Sequence, residues 1–216
     1  MKKVILFDLD GTVLNTLLDL SASLNETITS YGYKKIKNDI VRKYVGNGIK
    51  DLIKRSVNYD TKYLNSMYND FLSYYEKNYA VYTKPYPNII NILNKLKAEG
   101  IKLGLLTNKN IHITKKLVNK FFPNTFDLVL GDGLGIEKKP SKEMMEFVIK
   151  KFNCQISDVL YVGDSDIDIK FAENANCDKI IVSYGFRDKE DLLLKTNYVI
   201  ENTTDLENEI NKFLNM

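Results

Sequence analysis

At 216 residues, with 44% hydrophobic and 27% charged side chains, the chain has the make-up of an ordinary globular protein of one large or two small domains. Thirty-one basic against 28 acidic residues leave a net charge of +3, too little to argue for nucleic acid or an anionic membrane surface. No apolar run approaches a transmembrane span, and Cys154 and Cys177 stand alone without a CxxC pair or clustered histidines, which argues against both a disulfide framework and a zinc site.

The chain opens MKKVILFDLDGTVLNT. Its apolar run is broken by Asp8 and Asp10 far too early for a signal peptide, so a reduced, cytoplasmic protein is expected. Val4 to Leu9 reads as a buried strand. Proline is absent until Pro85, and residues 15–84 read as helices. Leu17, Leu20, Leu24 and Ile28 recur at helical spacing after Thr16 or Asp19, and Gly32 follows as a C-terminal cap. Asn38 is placed to cap a second helix, which the Gly46-Asn47-Gly48 turn interrupts, and a third helical run goes from Tyr63 to Tyr79. Ten of the fourteen tyrosines fall between Tyr31 and Tyr82, which marks this stretch off as a unit of its own with wet phenol edges.

From Pro85 the pattern alternates. Helix is expected over Ile89 to Glu99, strand over Lys102 to Leu106, helix over Ile111 to Phe121 and strand over Asp127 to Leu130. Helix follows over Lys142 to Phe152, strand over Val159 to Val162, helix over Asp166 to Asn174, strand over Lys179 to Ser183 and helix over Asp205 to Phe213. Short continuous apolar strands separated by helices mean βαβ units and a parallel sheet covered on both faces. The expected fold is therefore α/β, a parallel-sheet core interrupted after its first strand by a helical insert.

Ligands of such sheets bind beyond the carboxyl ends of the strands. There the sequence puts Asp8 and Asp10, then Thr107 and Asn108, then Asp164 and Asp168, with Lys139 in the loop before the last pair. Each group alone is an ordinary turn or helix start; their convergence on one rim is the signal. Residues at i and i+2 of an extended chain share a side, so Asp8 and Asp10 are expected to point together. Like charges about 4 Å apart repel by roughly 4 kcal/mol at an effective dielectric near 20. The cluster therefore needs raised pKa values or a cation, and an all-oxygen set without histidine or thiolate suits Mg2+. A carboxylate nucleophile, a second carboxylate to move protons and a lysine for an anionic substrate together fit phosphoryl transfer.

In order, FDLDGTVLNT, LLTNK, KKP and VGDSDID resemble the four signature motifs of the haloacid dehalogenase superfamily of phosphatases. The resemblance implies a Rossmann-like parallel sheet core, residues 1–14 and 85–216, with an inserted all-helical cap domain, residues 15–84. It implies Asp8 as nucleophile and Mg2+ ligand, Asp10 as general acid and base with its carbonyl on the metal, and Thr107 and Asn108 as phosphoryl holders. Lys139 would neutralise the phosphate, Asp164 would ligate the metal, Asp168 would support its shell, and the Gly11 amide would lie near the phosphoryl oxygens. VGNGIKDLI, PYPNIINILNKLKAEGIKLGLLTNK and YGFRDKEDL look most like phosphoglycolate phosphatases, which makes Gly46, Asn47 and Gly48 a substrate-specificity loop. The partner implied is a small phosphorylated metabolite, met by a monomer or homodimer.

Two departures, KPSK where relatives carry KPxP and the extra acid Asp166, leave the closest subfamily open. A phosphosugar mutase, a pyrophosphatase or a nucleotidase would use the same core residues. A phosphoacceptor receiver domain, the non-enzyme rival, would be shorter and carry its aspartate on a middle strand. Arg187 reads equally as a substrate-anion contact or a helix start, and Lys109 as a motif residue or a solvated lysine. Asp132 reads as a loop residue near the metal, His112 as a surface residue, and both cysteines as buried and inert.

Overall fold

A computed structural model describes residues 3–215. Strand β1 (Val4–Phe7) is buried at every position. It leads through a tight turn to β2 (Leu14–Asn15) and then to four consecutive helices, α1 (Leu17–Ser30), α2 (Asn38–Tyr44), α3 (Ile49–Ser56) and α4 (Leu64–Asn78). The chain returns through β3 (Lys84–Pro85) to alternating elements: α5 (Ile89–Ala98), β4 (Lys102–Asn110), α6 (Ile111–Phe121), β5 (Leu128–Asp132) and α7 (Glu143–Phe152). A short 3-10 turn precedes β6 (Val159–Gly163), then come α8 (Asp166–Asn174), β7 (Asp178–Ile181), α9 (Lys189–Leu193) and α10 (Thr203–Leu214). Among the described residues no helix is long and apolar enough to cross a membrane.

The five-stranded sheet has the order β5-β4-β1-β6-β7, and every pairing in it is parallel. Alternation along β1 divides the core in two. Ile5 and Phe7 join the apolar set of α5, α6 and α10, while Val4 and Leu6 join Met144, Met145 and Val148 of α7 and Phe171 of α8. Helix α5 buries Ile89, Ile92, Leu93 and Leu96, an i, i+3, i+4, i+7 stripe that explains its seat on the sheet. Strand order reverses at β1, so the crevice beyond its carboxyl end, flanked by β4 and β6, is where a ligand site belongs.

Several expected boundaries move. Strand β4 runs on to Asn110, because after a register shift Asn110 pairs with Asp132 of β5. That irregularity falls between Leu106 and Asn110, the stretch that carries Thr107 and Asn108. Strand β7 stops at Ile181, and the Val182 amide donates to Gly163 O at 2.9 Å while Val182 forms an isolated bridge to Ile200. Asn38 does not cap α2; it is the first helical residue, and its side-chain oxygen accepts from the Ser21 hydroxyl. Helix α9 and the two-residue antiparallel ribbon of β2 and β3 are too short for periodicity to show.

Candidate active site

The motifs meet at the carboxyl ends of β1, β4 and β6. Asp8 directly follows β1, Asp164 directly follows β6, and Asp168 lies one turn into α8. Asp8, Asp164 and Asp168 are buried and offer carboxylate oxygens within 4.8 Å of one another. Lys139 enters the cluster from the loop before α7, its Nζ 2.9 Å from Asp8 Oδ1 and 2.7 Å from both Asp168 Oδ1 and the Tyr161 hydroxyl. Its directed hydrogen bonds go to Asp168 and Tyr161, so Asp8 Oδ1 feels the charge at contact distance without a well-aligned donor.

Asp168 is held on all sides. It accepts from Lys139, from the Tyr161 hydroxyl at 2.6 Å, and from the Ser165 hydroxyl and amide at 2.5 and 3.1 Å. Ser165 and Asp168 form the capping box that starts α8, which places both residues by local helix chemistry. Asp164 Oδ2 accepts from the Phe186 amide at 2.6 Å. Gly11, at φ +86°, and Gly185 lie against it, where an added Cβ would come to 2.1 and 2.4 Å from Asp164 Oδ2. Only glycine lets the backbone approach that carboxylate so closely.

Burial pushes the Asp8 carboxyl up to about 7, with Asp168 and Asp10 adding to the rise and Lys139 opposing it. Burial likewise raises Asp164 well above the carboxylate range, helped by Asp168 and Asp8. Asp168 moves down, because the charge and hydrogen bond of Lys139 and the donors Ser165 and Tyr161 outweigh its burial. Lys139 moves up despite burial, since two carboxylates face it. The donor set fits a hard divalent cation: all oxygen, no thiolate or imidazole, with Asp8 Oδ1 buried and lacking a directed donor.

Asp10 departs from the expectation. It lies past the end of β1 in the turn, where strand alternation no longer applies, and its carboxylate leaves the acidic cluster. It accepts from the Thr16 hydroxyl at 2.6 Å and sits 3.1 Å from Lys109 Nζ with both oxygens. Lys109 is therefore no solvated lysine: it is buried, carries its ammonium 4.6 Å over the Tyr75 ring of α4, and has its pKa raised, burial being outweighed by Asp10 and Tyr75. Asp8, Asp10, Thr107, Asn108, Lys109, Lys139 and Asp164 line one crevice, closed from the helical side by Leu20, Val45, Gly46, Gly48, Ile49 and Leu52. Its volume of about 40 Å³ takes about three waters on a scale of roughly 10–15 Å³ each.

Other expected residues are placed differently. Asn108 gives its amide to the Gly46 and Lys139 carbonyls at 3.0 and 2.9 Å, so both donors are already engaged. The Arg187 guanidinium lines the crevice but gives its donors to Arg42 O, Val45 O and Asp166. Asn47 is outside the crevice lining, and Lys138 donates to its carbonyl. Asp132 belongs to the end of β5 rather than to a loop at the acidic cluster. His112 is exposed and bonded to Glu76; Cys177 is buried and Cys154 half-buried. The sequence reading missed Tyr161, Ser165, Thr16 and the Phe186 amide. Of these only Ser165 carried a readable sign, the S-x-x-D spacing of a capping box.

A parallel sheet with an acid cluster, a buried lysine and a threonine at one rim defines a site for phosphoryl chemistry. The model of the haloacid dehalogenase-like hydrolase family matches residues 5–182, and the chain belongs to that family. It is 32% identical over 185 residues to a phosphoglycolate phosphatase of Aquifex aeolicus, covering 85% of this chain and 86% of the relative. A phosphoglycolate phosphatase of Colwellia psychrerythraea is 31% identical over 200 residues, covering 88% of each chain. A crystal structure of a candidate phosphoglycolate phosphatase from Lactobacillus delbrueckii superposes with a TM-score of 0.91 at 28% identity, over 97% of this chain and 99% of that one. Within the family the chain is a phosphatase-like hydrolase whose relatives are phosphoglycolate phosphatases.

Proposed function

We propose that the protein is a Mg2+-dependent phosphatase that hydrolyses a small phosphate monoester, phosphoglycolate first among candidates, through an aspartyl-phosphate. The observation that supports this reading is the buried Asp8 carboxylate, 2.9 Å from Lys139 in a small crevice that Asp10 also lines. Asp8, Asp164 and the Asp10 carbonyl would hold the cation, with Asp168 fixing the lysine beside them. When bound, the cation supplies charge neutralisation for the cluster and the phosphoryl oxygens.

An Asp8 oxygen attacks phosphorus and the bond to the ester oxygen breaks. Asp10 delivers a proton to that leaving oxygen, then takes one from the water that attacks the aspartyl-phosphate, and inorganic phosphate departs. Thr107 holds phosphoryl oxygens and Lys139 spreads the developing charge, whereas the Gly11 amide, expected to join them, already donates to Leu14 O at 2.9 Å. Residues 15–84 act as a cap domain over a core of residues 1–14 and 85–216. Apolar Leu20, Val45, Ile49 and Leu52 roof the crevice and exclude water.

The test is phosphate release with Mg2+ from phosphoglycolate, hexose phosphates, nucleotides and pyrophosphate, with Asp8→Asn as control. Preference for phosphoglycolate, lost in the variant, is the expected result. Turnover surviving in Asp8→Asn overturns the nucleophile assignment, and preference for a nucleotide or pyrophosphate overturns the substrate.

A further inference from the structure

The turn between α2 and α3 is gripped by its main chain. Three successive carbonyls, those of Val45, Gly46 and Asn47, each accept a hydrogen bond from a side chain of the sheet domain. Arg187 Nη2 reaches Val45 O at 2.7 Å, Asn108 Nδ2 reaches Gly46 O at 3.0 Å, and Lys138 Nζ reaches Asn47 O at 3.1 Å. The donors come from three separate segments: the end of β4, the loop after β5 and the loop after β7. Arg187 also holds Arg42 O at 2.9 Å, so one guanidinium spans two carbonyls at the carboxyl end of α2, where a helix leaves them unpaired and partly negative. Asp166 fixes its Nε at 3.3 Å, and the neighbouring Asp188 pairs with Arg42 at 2.5 Å and with Lys43 at 3.5 Å.

The turn contributes no side chain to this grip. Gly46 and Gly48, at φ +127° and +90°, lie flat against the donors, and a Cβ on Gly48 would stand 3.1 Å from Lys138 Nζ. The same loop carries Phe186, whose amide bonds Asp164, so one short segment touches both the acidic cluster and the turn above it.

We propose that Arg187, assisted by Lys138, is a positioning residue that keeps the Val45–Gly48 turn closed over the crevice by clasping successive main-chain carbonyls. It acts on turnover through the turn and not by contact with substrate. The kinetic part of this proposal rests on the phosphatase reading; the structural part does not. With the clasp weakened, the closed form is populated less, and apparent affinity falls by the fraction lost. Losing a guanidinium that makes two charge-assisted bonds shifts that balance by about a hundredfold or more.

The experiment compares Arg187→Ala, Arg187→Lys and Lys138→Met. Amide hydrogen exchange of the free protein is followed over residues 41–49, and steady-state kinetics are measured on phosphoglycolate and on ethyl phosphate, of similar size without the carboxylate. Arg187→Ala is expected to speed exchange in that segment about tenfold or more and to raise KM equally for both substrates, by the inverse of the closed fraction that remains, with kcat within about threefold. Lys cannot span two carbonyls and restores only part; full restoration by Lys overturns the two-carbonyl grip. Unchanged exchange, or a KM rise confined to phosphoglycolate, makes Arg187 an anion contact and overturns the proposal. Should Arg187→Ala fail to fold, the exposed Lys138→Met decides by exchange alone: faster exchange over 45–49 supports the clasp, no change refutes it. Absence of phosphatase activity in the parent protein would sink the functional reading while the exchange result still judges the clasp.

Discussion

Replacing the proposed nucleophile should stabilise the metal-free protein, and by more at alkaline pH. Asp8 has its carboxyl raised from 3.8 to about 7, chiefly by burial. A folded-state pKa above the unfolded one contributes stability that is complete below the unfolded value and drains away as pH climbs to the folded one. Between pH 5 and pH 8 this single group withdraws about 2–3 kcal/mol, at about 1.36 kcal/mol per unit. Asp8→Asn has no proton to lose, so that withdrawal disappears. The attraction of Lys139, 2.9 Å away, for the ionised carboxylate is already part of that shift, and any pH-independent effect of the amide cancels in the comparison between the two pH values. Lys139 keeps Asp168 at 2.7 Å in either case. A chain of this size moves its Tm by about 2–4 °C per kcal/mol, so the variant should gain on the parent by about 5–10 °C between pH 5 and pH 8. Thermal unfolding followed by circular dichroism in EDTA reads this directly. A Tm difference that stays flat across that range, or shrinks, refutes the placement of Asp8 as a buried carboxylate carrying an electrostatic burden.

Gly11→Ala forces a methyl group to 2.1 Å from Asp164 Oδ2 at a positive φ, so Mg2+ affinity should weaken by roughly tenfold or more, read as a higher midpoint in a Mg2+ thermal-shift titration. An unmoved midpoint would mean that Asp164 is not held by that contact. Asp19→Ala strips the acceptor from the Tyr82 and Thr83 amides, at 3.0 and 2.8 Å, and from the Thr83 hydroxyl at 2.7 Å, all beside or inside buried structure. The loss should be about 2–5 kcal/mol in urea unfolding, and a change below about 1 kcal/mol would show that water replaces the carboxylate there.

The sheet was legible because its central strands are buried on both faces. VILF and VLYV are continuous apolar runs that no amphipathic helix would show, and Gly163 closes the second of them. The acid cluster was legible for a related reason, since Asp8 and Asp164 follow apolar strands without a break. What was hidden depended on geometry with no periodic trace. The register shift between Leu106 and Asn110 cannot be read from composition, so the paired stretch beyond Leu106 was missed. The sequence leaves Lys109 open between a motif residue and a solvated lysine, because lysines are nearly always solvated, and only the arrival of Asp10 and Tyr75 from distant parts of the chain gives it a buried partner. Tyr161 reads as one more core residue of its strand; its hydroxyl matters because Lys139 and Asp168 happen to meet it. Asp19 was read as a possible helix start, whereas its carboxylate fastens the far end of the insert.

That fastening, with the antiparallel ribbon of Leu14–Asn15 against Lys84–Pro85, brings the chain's departure from the sheet and its return to one spot. Closing a longer or shorter excursion between two such neighbouring points changes the loop entropy only logarithmically, about 0.6 kcal/mol for a doubling of length. The sheet is thus nearly indifferent to what is spliced in after its first strand. The acidic cluster and the helices that close its crevice stand on opposite sides of a two-residue seam.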